Sequence, residues 1–217
     1  MTQLTVIIGA DECGYGSWAG PLVAAAVAYP ATRTEPPAVT VRNRRIEIRD
    51  SKLLKPAMIE TFAYDIQRFC FCFERHVFTA QEVDFWGVDV AKLRLLRMVV
   101  ARLLERLNHV HRVEGGVRIV VDGETNLHPC DFIYDAIPHA DATVWQVSAA
   151  SVLAKQHQLQ EMARLHTKCP TYGWDQNAGY GTKQHRDALK KFGVSPYHRR
   201  SFAPIRRLLP TPEGLED

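Results

Sequence analysis

The most constraining feature of the chain is a short apolar segment that runs into two acids and a glycine turn. Leu4 to Ile8 predicts a buried strand, and Asp11 and Glu12 follow at its end. The next residues, Gly14-Tyr15-Gly16, predict a turn whose backbone a ligand can approach closely. Adjacent carboxylates are costly to desolvate, so they indicate a metal ion, a cationic partner or solvent. From these residues alone, a metal or phosphate site and an ordinary strand end with two solvated acids are equally good interpretations.

Composition limits the class of protein. The chain has 217 residues, 46% of them hydrophobic and 24% charged, which is ordinary for one globular core or a core with a small appendage. No apolar run reaches the roughly 18–20 residues that span a membrane, and the N-terminus lacks a signal-peptide pattern, so we expect a cytoplasmic protein. The five cysteines are odd in number and form no Cys-x-x-Cys pair, which favours reduced thiols over disulfides or a zinc site.

Positive charge is concentrated near the C-terminal end. The net charge is only +3, but Lys183 to Arg207 contains eight Lys or Arg residues against one acid, Asp187. Such a cluster is typical of a surface that follows nucleic-acid phosphates. A solvated helix face without a ligand explains the same pattern and is the more frequent case.

Strand and helix patterns alternate along the chain, which predicts one α/β domain with a C-terminal helical extension. The predicted strands after the first are 22–28, a hairpin with a basic tip within 39–48, 70–79, 117–121 and 142–147. The predicted helices are 56–68, 88–107, 148–166 with a Ser148 cap, and 182–192. We assign helix 88–107 to the core, without a function, because its apolar stripe is continuous.

Carboxylates recur at the ends of predicted strands. Asp122 follows strand 117–121 and Asp141 precedes strand 142–147, as Asp11 and Glu12 follow the first strand. If all converge, about four negative charges require cations at short range. Oxygen ligands suit Mg²⁺ or Mn²⁺ better than Zn²⁺, and two such ions would activate a water and stabilise the leaving oxygen in phosphodiester hydrolysis. Spacing does not establish convergence, and a surface acid is the usual alternative, above all for Asp141.

These motifs together resemble the type 2 ribonucleases H, the ribonuclease HII family. Segment 11–21 is similar to the family's first motif, in which Asp-Glu-Ala-Gly-Arg-Gly runs on to Ala-Gly-Pro. Segments 50–53 and 121–123 resemble its Asp-Ser-Lys motif and its third-carboxylate strand, and Asp141 precedes a Ser-Ala-Ala-Ser helix start by seven residues, as the family's fourth acid does. Further motifs follow in the family's order from about Val6 to Arg207: Ala154-Lys155, Tyr172-Gly173, Gly179-Tyr180-Gly181-Thr182, His185 and His198-Arg199-Arg200-Ser201-Phe202.

The resemblance implies an α/β architecture of RNase H-like fold, with a mixed five-stranded central sheet flanked by helices. It implies that Asp11, Glu12, Asp122 and Asp141 are the catalytic residues of a two-metal Mg²⁺ or Mn²⁺ site. The implied reaction is cleavage of the RNA strand of RNA/DNA hybrids, or incision 5′ of a ribonucleotide embedded in duplex DNA. The products would carry a 3′-hydroxyl and a 5′-phosphate.

The resemblance also implies contacts with the substrate. Gly14, Tyr15 and Gly16 would read the 2′-hydroxyl, the group that distinguishes RNA from DNA. Tyr180 would pack on the sugar at the RNA-to-DNA junction, and Lys52 would face a phosphate.

We also predict two parts of the chain and the kind of partner that it binds. Residues 1–166 would form the catalytic domain, and residues 167–217 a basic, substrate-binding helical extension packed on the same domain. We expect a monomer that binds RNA/DNA hybrid or ribonucleotide-containing duplex DNA. No sliding-clamp peptide is evident, because 208–217 lacks the Gln and paired aromatics of such a peptide.

Three departures from the family pattern stand near these motifs. Tyr15 replaces an arginine, which removes a cation and would alter junction preference or affinity. Ser17 and Trp18 replace Pro-Leu, so we expect a turn of different shape. Gln158 and Leu159 replace Arg-Asp, and the lost acid would weaken metal affinity or helix anchoring.

Other interpretations remain open at this point. The Asp-Glu pair before Gly-x-Gly is also similar to the ribonuclease HIII branch, but only ten residues precede Asp11, and that branch has an extra N-terminal domain. The departures at Tyr15 and Leu159 allow a catalytically weak or silent hybrid-binding protein, which the intact set of four acids opposes. The acids and the basic tail alone allow a DNA nuclease on the same scaffold, and only the glycine turn that would read a 2′-hydroxyl speaks against it.

Overall fold

The computed structural model describes residues 5–41, 44–48, 54–110 and 116–210. The strands within these ranges are β1 (Val6–Cys13), β2 (Leu22–Pro30), β3 (Ala38–Val41), β4 (Arg44–Glu47), β5 (Cys72–Phe78), β6 (Val117–Asp122) and β7 (Asp135–Ile137). The helices are α1 (Pro56–Phe69), α2 (Ala80–Trp86), α3 (Val88–Val110), α4 (Ala140–Thr143), α5 (Trp145–Lys168), α6 (Trp174–Asn177), α7 (Lys183–Phe192) and α8 (Ala203–Arg206), with a 3₁₀ turn at Pro170–Tyr172.

A five-stranded sheet in the order β5-β2-β1-β6-β7 forms the centre of the fold. β2 pairs antiparallel with β1 and β5, whereas β6 pairs parallel with β1 and β7, so the predicted mixed five-stranded sheet is confirmed. β3 and β4 form a separate hairpin, as predicted, and its tip at 42–43 lies outside the described residues. In the β1–β6 register Ala10 lies opposite Val121. The next residues, Asp11 and Asp122, therefore lie side by side on neighbouring parallel strands, just after the last paired residues.

Helices cover both faces of this sheet. On one face, α3 packs its apolar stripe, including Leu95 and Val99, against Ile8 and Ala10 of β1. On the other face, α5 packs against the alanine-rich strand β2, and α1 packs against α5. The backbone of α5 approaches β1 so closely that a Cβ atom at Gly9 would lie 2.2 Å from the carbonyl carbon of Gln146. Glycine at this position therefore allows α5 to lie directly over the strand that carries the first acids.

Most predicted elements are confirmed with shifted ends, including helices 56–68, 88–107 and 182–192. The predicted strand 142–147 is wrong: residues 140–143 form the short helix α4, and α5 begins at Trp145. A six-residue apolar segment does not distinguish a strand from a helix start. Ser148, predicted as the cap, lies inside α5, and its hydroxyl donates to the Asp141 carbonyl at 2.6 Å.

Three further differences separate the structure from the prediction: one strand is longer, and two elements were not predicted. β1 continues through Asp11 and Glu12 to Cys13, so both acids lie within the strand rather than after it. β7 and α2 were not predicted; α2 follows a capping box, in which Thr79 and Glu82 exchange side-chain and backbone hydrogen bonds.

The C-terminal segment packs on the rest of the protein through a third apolar cluster. Ala19 and Met162 contact a group of buried side chains that includes Trp174, Leu189 and Ile205. The division of the chain after residue 166 stays a prediction.

Within the described residues, every helix is too short or too polar to cross a membrane.

Candidate active site

The two adjacent acids of β1 point to opposite faces of the sheet, because side chains alternate along a strand. Asp11 shares the α5 face with Cys13, and Glu12 shares the α3 face with Ala10. Asp122 is on the α5 face beside Asp11, since its neighbour Val121 packs on the α3 side. The C-terminal ends of β1 and β6 thus present acids on both sides of the sheet.

Asp11 is buried, with only 5% of its surface exposed. One carboxylate oxygen accepts the backbone N–H of Glu12 at 2.7 Å. Burial, followed by the charges of Glu12 and Asp122, raises the pKa of Asp11 well above its usual value, against the opposing hydrogen bonds from Ser151 and Glu12. The folded chain therefore concentrates negative charge at this point.

The two carboxylate oxygens of Glu12 differ: one is paired with a cation, and the other has no partner among the described residues. Its Oε1 lies 3.0 Å from the ammonium of Lys92 on α3. Its Oε2 is buried and has no hydrogen-bond partner among the described residues. A buried carboxylate oxygen without a partner is unfavourable, so this atom is suited to a cation that the chain itself does not supply.

Asp122 connects the sheet to the short helix α4. Its Oδ1 accepts the backbone N–H of Ala140 at 2.8 Å, and Asp141 is the next residue. Asp141 is only 4% exposed and lies in the first turn of α4. Asp141 therefore directly follows Ala140, the residue whose N–H binds Asp122.

The glycine turn after β1 is fixed by close packing. Gly14 has φ +90°, and a Cβ there would lie 2.7 Å from the Pro21 carbonyl oxygen. The N–H groups of Trp18 and Ala19 both donate to the Gly179 carbonyl, at 2.8 and 3.3 Å. The turn that carries Tyr180 is thereby held against the Gly14-Tyr15-Gly16 turn.

These elements enclose a cleft of about 360 Å³, which we call the acidic cleft. Six of the predicted site residues line it: Asp11, Glu12, Gly14, Tyr15, Asp122 and Tyr180. Gly16 and Asp141 are not part of its lining, although a Cβ at Gly16 would lie 3.8 Å from the Tyr180 ring. Lys52 lies outside the described residues.

Sequence reasoning missed several residues at this cleft. Ser151 and Lys155 line it from one face of α5, and their i, i+4 spacing in a helix was the available signal. Asp89 and Lys92 of α3 do not line the cleft but contact two residues that do: Asp89 accepts a hydrogen bond from the Tyr15 hydroxyl, and Lys92 pairs with Glu12. The helix predicted to serve only the core therefore also contributes to the candidate site.

Cys13 also lines the cleft, but its thiol is not a reactive group. Burial raises the pKa of Cys13 to about 11, and Sγ donates to the Gln158 side-chain carbonyl at 3.5 Å. At neutral pH the thiol is protonated, so the ionic chemistry of the cleft belongs to the carboxylates.

The acids fit a divalent metal ion that oxygen atoms bind. Among the described residues no three His, Cys, Asp or Glu side chains form a ready-made ligand group. Even so, the unpartnered Oε2 of Glu12 and the mutual repulsion of Asp11, Glu12 and Asp122 would both be relieved by a cation. Carboxylate oxygens are the donors that Mg²⁺ and Mn²⁺ prefer.

A mixed sheet of this order with acids at the ends of adjacent parallel strands defines the class of RNase H-like folds. Comparisons with known proteins identify the family. The family model described as Ribonuclease HII matches residues 8–205. The Ribonuclease HII of Acidovorax sp. (strain JS42) is 37% identical over 207 residues, which cover 95% of this chain and 90% of that protein. The chain belongs to the ribonuclease HII family, and it is an RNase H-type endoribonuclease.

Solved structures agree on the fold. The crystal structure of the ribonuclease H2 from Pyrococcus horikoshii OT3 has a TM-score of 0.70 and 22% identity, and the match covers 94% of this chain and 96% of that one. The Bst-RNase HIII in complex with Mn²⁺ has a TM-score of 0.67 and 18% identity, covering 94% of this chain and 69% of that one.

Proposed function

We propose that the chain is a divalent-metal-dependent endoribonuclease that acts on ribose in a duplex with DNA. Its substrates would be the RNA strand of RNA/DNA hybrids or a ribonucleotide embedded in duplex DNA, cut on its 5′ side. The products would carry a 3′-hydroxyl and a 5′-phosphate.

One observation carries this proposal: the acidic cleft holds the candidate metal ligands and the glycine turn together. Asp11, Glu12 and Asp122 line the same cleft as Gly14 and Tyr180. A phosphodiester bound at the acids would therefore place its sugar beside the turn. This is the juxtaposition that a ribose-dependent phosphodiesterase requires, because the phosphate that is cut and the 2′-hydroxyl that is recognised belong to the same ribonucleotide.

The acids would hold the metal. Asp11, Glu12 and Asp122 would bind it directly, and Asp141 would complete the set from α4, next to the Asp122–Ala140 contact. A bound divalent ion would activate a water and neutralise charge on the leaving oxygen. Asp11 and Asp122 are held by hydrogen bonds from the backbone, so their carboxylates are oriented before substrate arrives.

Discrimination between ribose and deoxyribose would come from backbone groups of the turn. Gly14 holds a backbone conformation that other residues rarely adopt, and Gly16 leaves space beside the Tyr180 ring. The ring of Tyr180 is partly exposed and lies 5.8 Å from the Lys155 ammonium, so it can pack on a sugar close to a cation that suits a phosphate. Lys52 would contact a further phosphate.

The proposal is tested with three labelled duplexes and Mg²⁺ or Mn²⁺: all-DNA, RNA/DNA hybrid, and DNA with one ribonucleotide. We expect cleavage of the two ribose-containing duplexes only. Cleavage of neither, with hybrid binding retained, would support a silent binding protein instead. Equal cleavage of the all-DNA duplex would support a DNA nuclease on the same scaffold.

Asp11→Asn tests the acid set. It should abolish cleavage and leave hybrid binding largely intact, because the amide cannot supply the negative charge that a metal requires. Asp187→Asn is the matched control, since Asp187 is exposed on α7 and pairs with Lys183. Near-normal turnover by Asp11→Asn would show that the site is assigned incorrectly.

A further inference from the structure

Two charged residues in the first two turns of α3, Asp89 and Lys92, contact residues that line the acidic cleft. The Lys92 ammonium lies 3.0 Å from Glu12 Oε1 and 5.9 Å from the centre of the Tyr15 ring. One turn earlier, Asp89 accepts a hydrogen bond from the Tyr15 hydroxyl. Both charged residues therefore contact the segment that would bind metal and ribose, although α3 is otherwise a core helix.

Lys92 pairs with Glu12, the acid that points away from Asp11 and Asp122. Glu12 is on the α3 face of β1, whereas Asp11 and Asp122 are on the α5 face. The ion pair with Lys92 therefore lies on the α3 side of the sheet. A carboxylate oxygen neutralised by an ammonium is also a weaker ligand for a divalent ion, because the two cations repel each other at short range.

The Glu12–Lys92 pair is not well placed to serve stability alone. The two side chains keep only 12% and 20% of their surface exposed, so the loss of hydration of both charges offsets much of their attraction. The second oxygen of Glu12 is buried without a hydrogen-bond partner among the described residues, so the pair leaves the carboxylate only half satisfied. A structural salt bridge would be expected to satisfy both oxygens.

We propose that Lys92 is a resident counter-ion that competes with a divalent metal ion for Glu12. It stabilises the acid cluster before metal binds, and Glu12 must leave it to become a full metal ligand. The released ammonium then lies beside Tyr15 at the cleft, where a phosphate of the substrate is the anion that it would meet. Lys92 is thus a positioning residue that acts through Glu12. This inference rests on the proposed metal site.

The test is direct titration of metal-stripped protein with Mn²⁺ by calorimetry, in the absence of nucleic acid. Lys92→Met removes the ammonium and keeps a side chain of similar length, and we expect it to bind Mn²⁺ about tenfold more tightly than the native protein. Lys92→Arg keeps a cation and should bind like the native protein. Lys155→Met is the matched control, because Lys155 lines the same cleft but donates to Gln158, at 3.0 Å, rather than to an acid.

A second readout is thermal unfolding with EDTA and with Mn²⁺. Lys92→Met should melt below the native protein in EDTA, because Glu12 loses its counter-ion, and should gain more from Mn²⁺. Equal Mn²⁺ affinity in the native and Lys92→Met proteins would overturn the inference and leave the metal site standing. An equal gain in Lys155→Met would overturn it too, since a lysine that does not pair with Glu12 would then have the same effect. If no form binds Mn²⁺, both the inference and the proposed metal site are wrong.

Discussion

Asp11→Asn should make the metal-free protein more stable while removing its activity. In the native protein a buried carboxylate faces the charges of Glu12 and Asp122, and both burial and repulsion raise its pKa. Asparagine removes the charge, and its carbonyl oxygen can still accept the Glu12 N–H that Asp11 now binds at 2.7 Å. Relief of this kind of functional strain is typically worth about 1–2 kcal/mol. For a chain of this size that corresponds to a rise in Tm of about 2–8 °C.

The assay is thermal unfolding in EDTA at neutral pH, with Asp187→Asn as the surface control. The pH dependence gives an independent check. Because the folded-state pKa of Asp11 is raised, the native protein is destabilised relative to Asp11→Asn above the unfolded pKa, which is about 3.9. The difference should therefore shrink as the pH is lowered toward about 3.9, and it should disappear below that value, where the carboxyl is protonated in both states. Mn²⁺ should also reduce it, since metal stabilises only the native site. The reasoning is refuted if Asp11→Asn melts at or below the native protein in EDTA.

Two further predictions concern the buried polar groups behind the cleft. Arg199 is fully buried and donates to the carbonyls of Gly20 and Tyr15 at 3.1 and 2.9 Å. Arg199→Met should therefore lower the free energy of unfolding, measured in urea, by about 2–4 kcal/mol. A decrease below about 0.5 kcal/mol would show that these hydrogen bonds contribute little. Burial, followed by the His185 charge, lowers the pKa of His198 to about 4. The stability that the neutral His198 imidazole contributes is therefore complete above its unfolded pKa of about 6.5. This stability is lost as the pH falls from about 6.5 toward 4. The free energy of unfolding should drop by about 2 kcal/mol from pH 7 to pH 5, and a His198→Asn variant with the same slope would contradict this assignment.

The sequence predicts the sheet and the principal helices well because their apolar patterns are local. The β-branched run before Asp122 and the apolar run before Asp11 each specify a buried strand, and the C-terminal ends of adjacent parallel strands meet at one edge. The failure at 142–147 has a local cause as well. Val144 and Val147 are three residues apart, a spacing that a helix start shares with a short irregular strand, and tertiary packing against β1 decides between the two.

The contributions of α3 to the site could not be predicted from local patterns. Asp89 and Lys92 are charged residues of an amphipathic helix, and a sequence alone assigns such residues to the solvent side. Lys92 keeps only 20% of its side-chain surface exposed. Their roles depend on contacts with Tyr15 and Glu12, which are more than seventy residues away in the chain. The resemblance to the family implies that Tyr15 replaces an arginine, but only the fold shows that a lysine from another element lies beside it.

The departures at Ser17 and Gln158 show the same limit most clearly, because these two residues, 141 positions apart, are parts of one arrangement. Gln158 is fully buried, and its amide donates to the Ser17 hydroxyl at 3.4 Å and to the Ala178 carbonyl at 3.2 Å. Its carbonyl oxygen accepts from Lys155 and from Cys13, at 3.0 and 3.5 Å. Every polar atom of this buried side chain is therefore paired, as burial requires. A residue at position 158 that could not make these bonds would remove part of the connection between Ser17 and the turn before Tyr180, to which the Ser17 hydroxyl also donates at the Ala178 carbonyl, at 3.3 Å. Ser17 and Gln158 therefore hold this segment together.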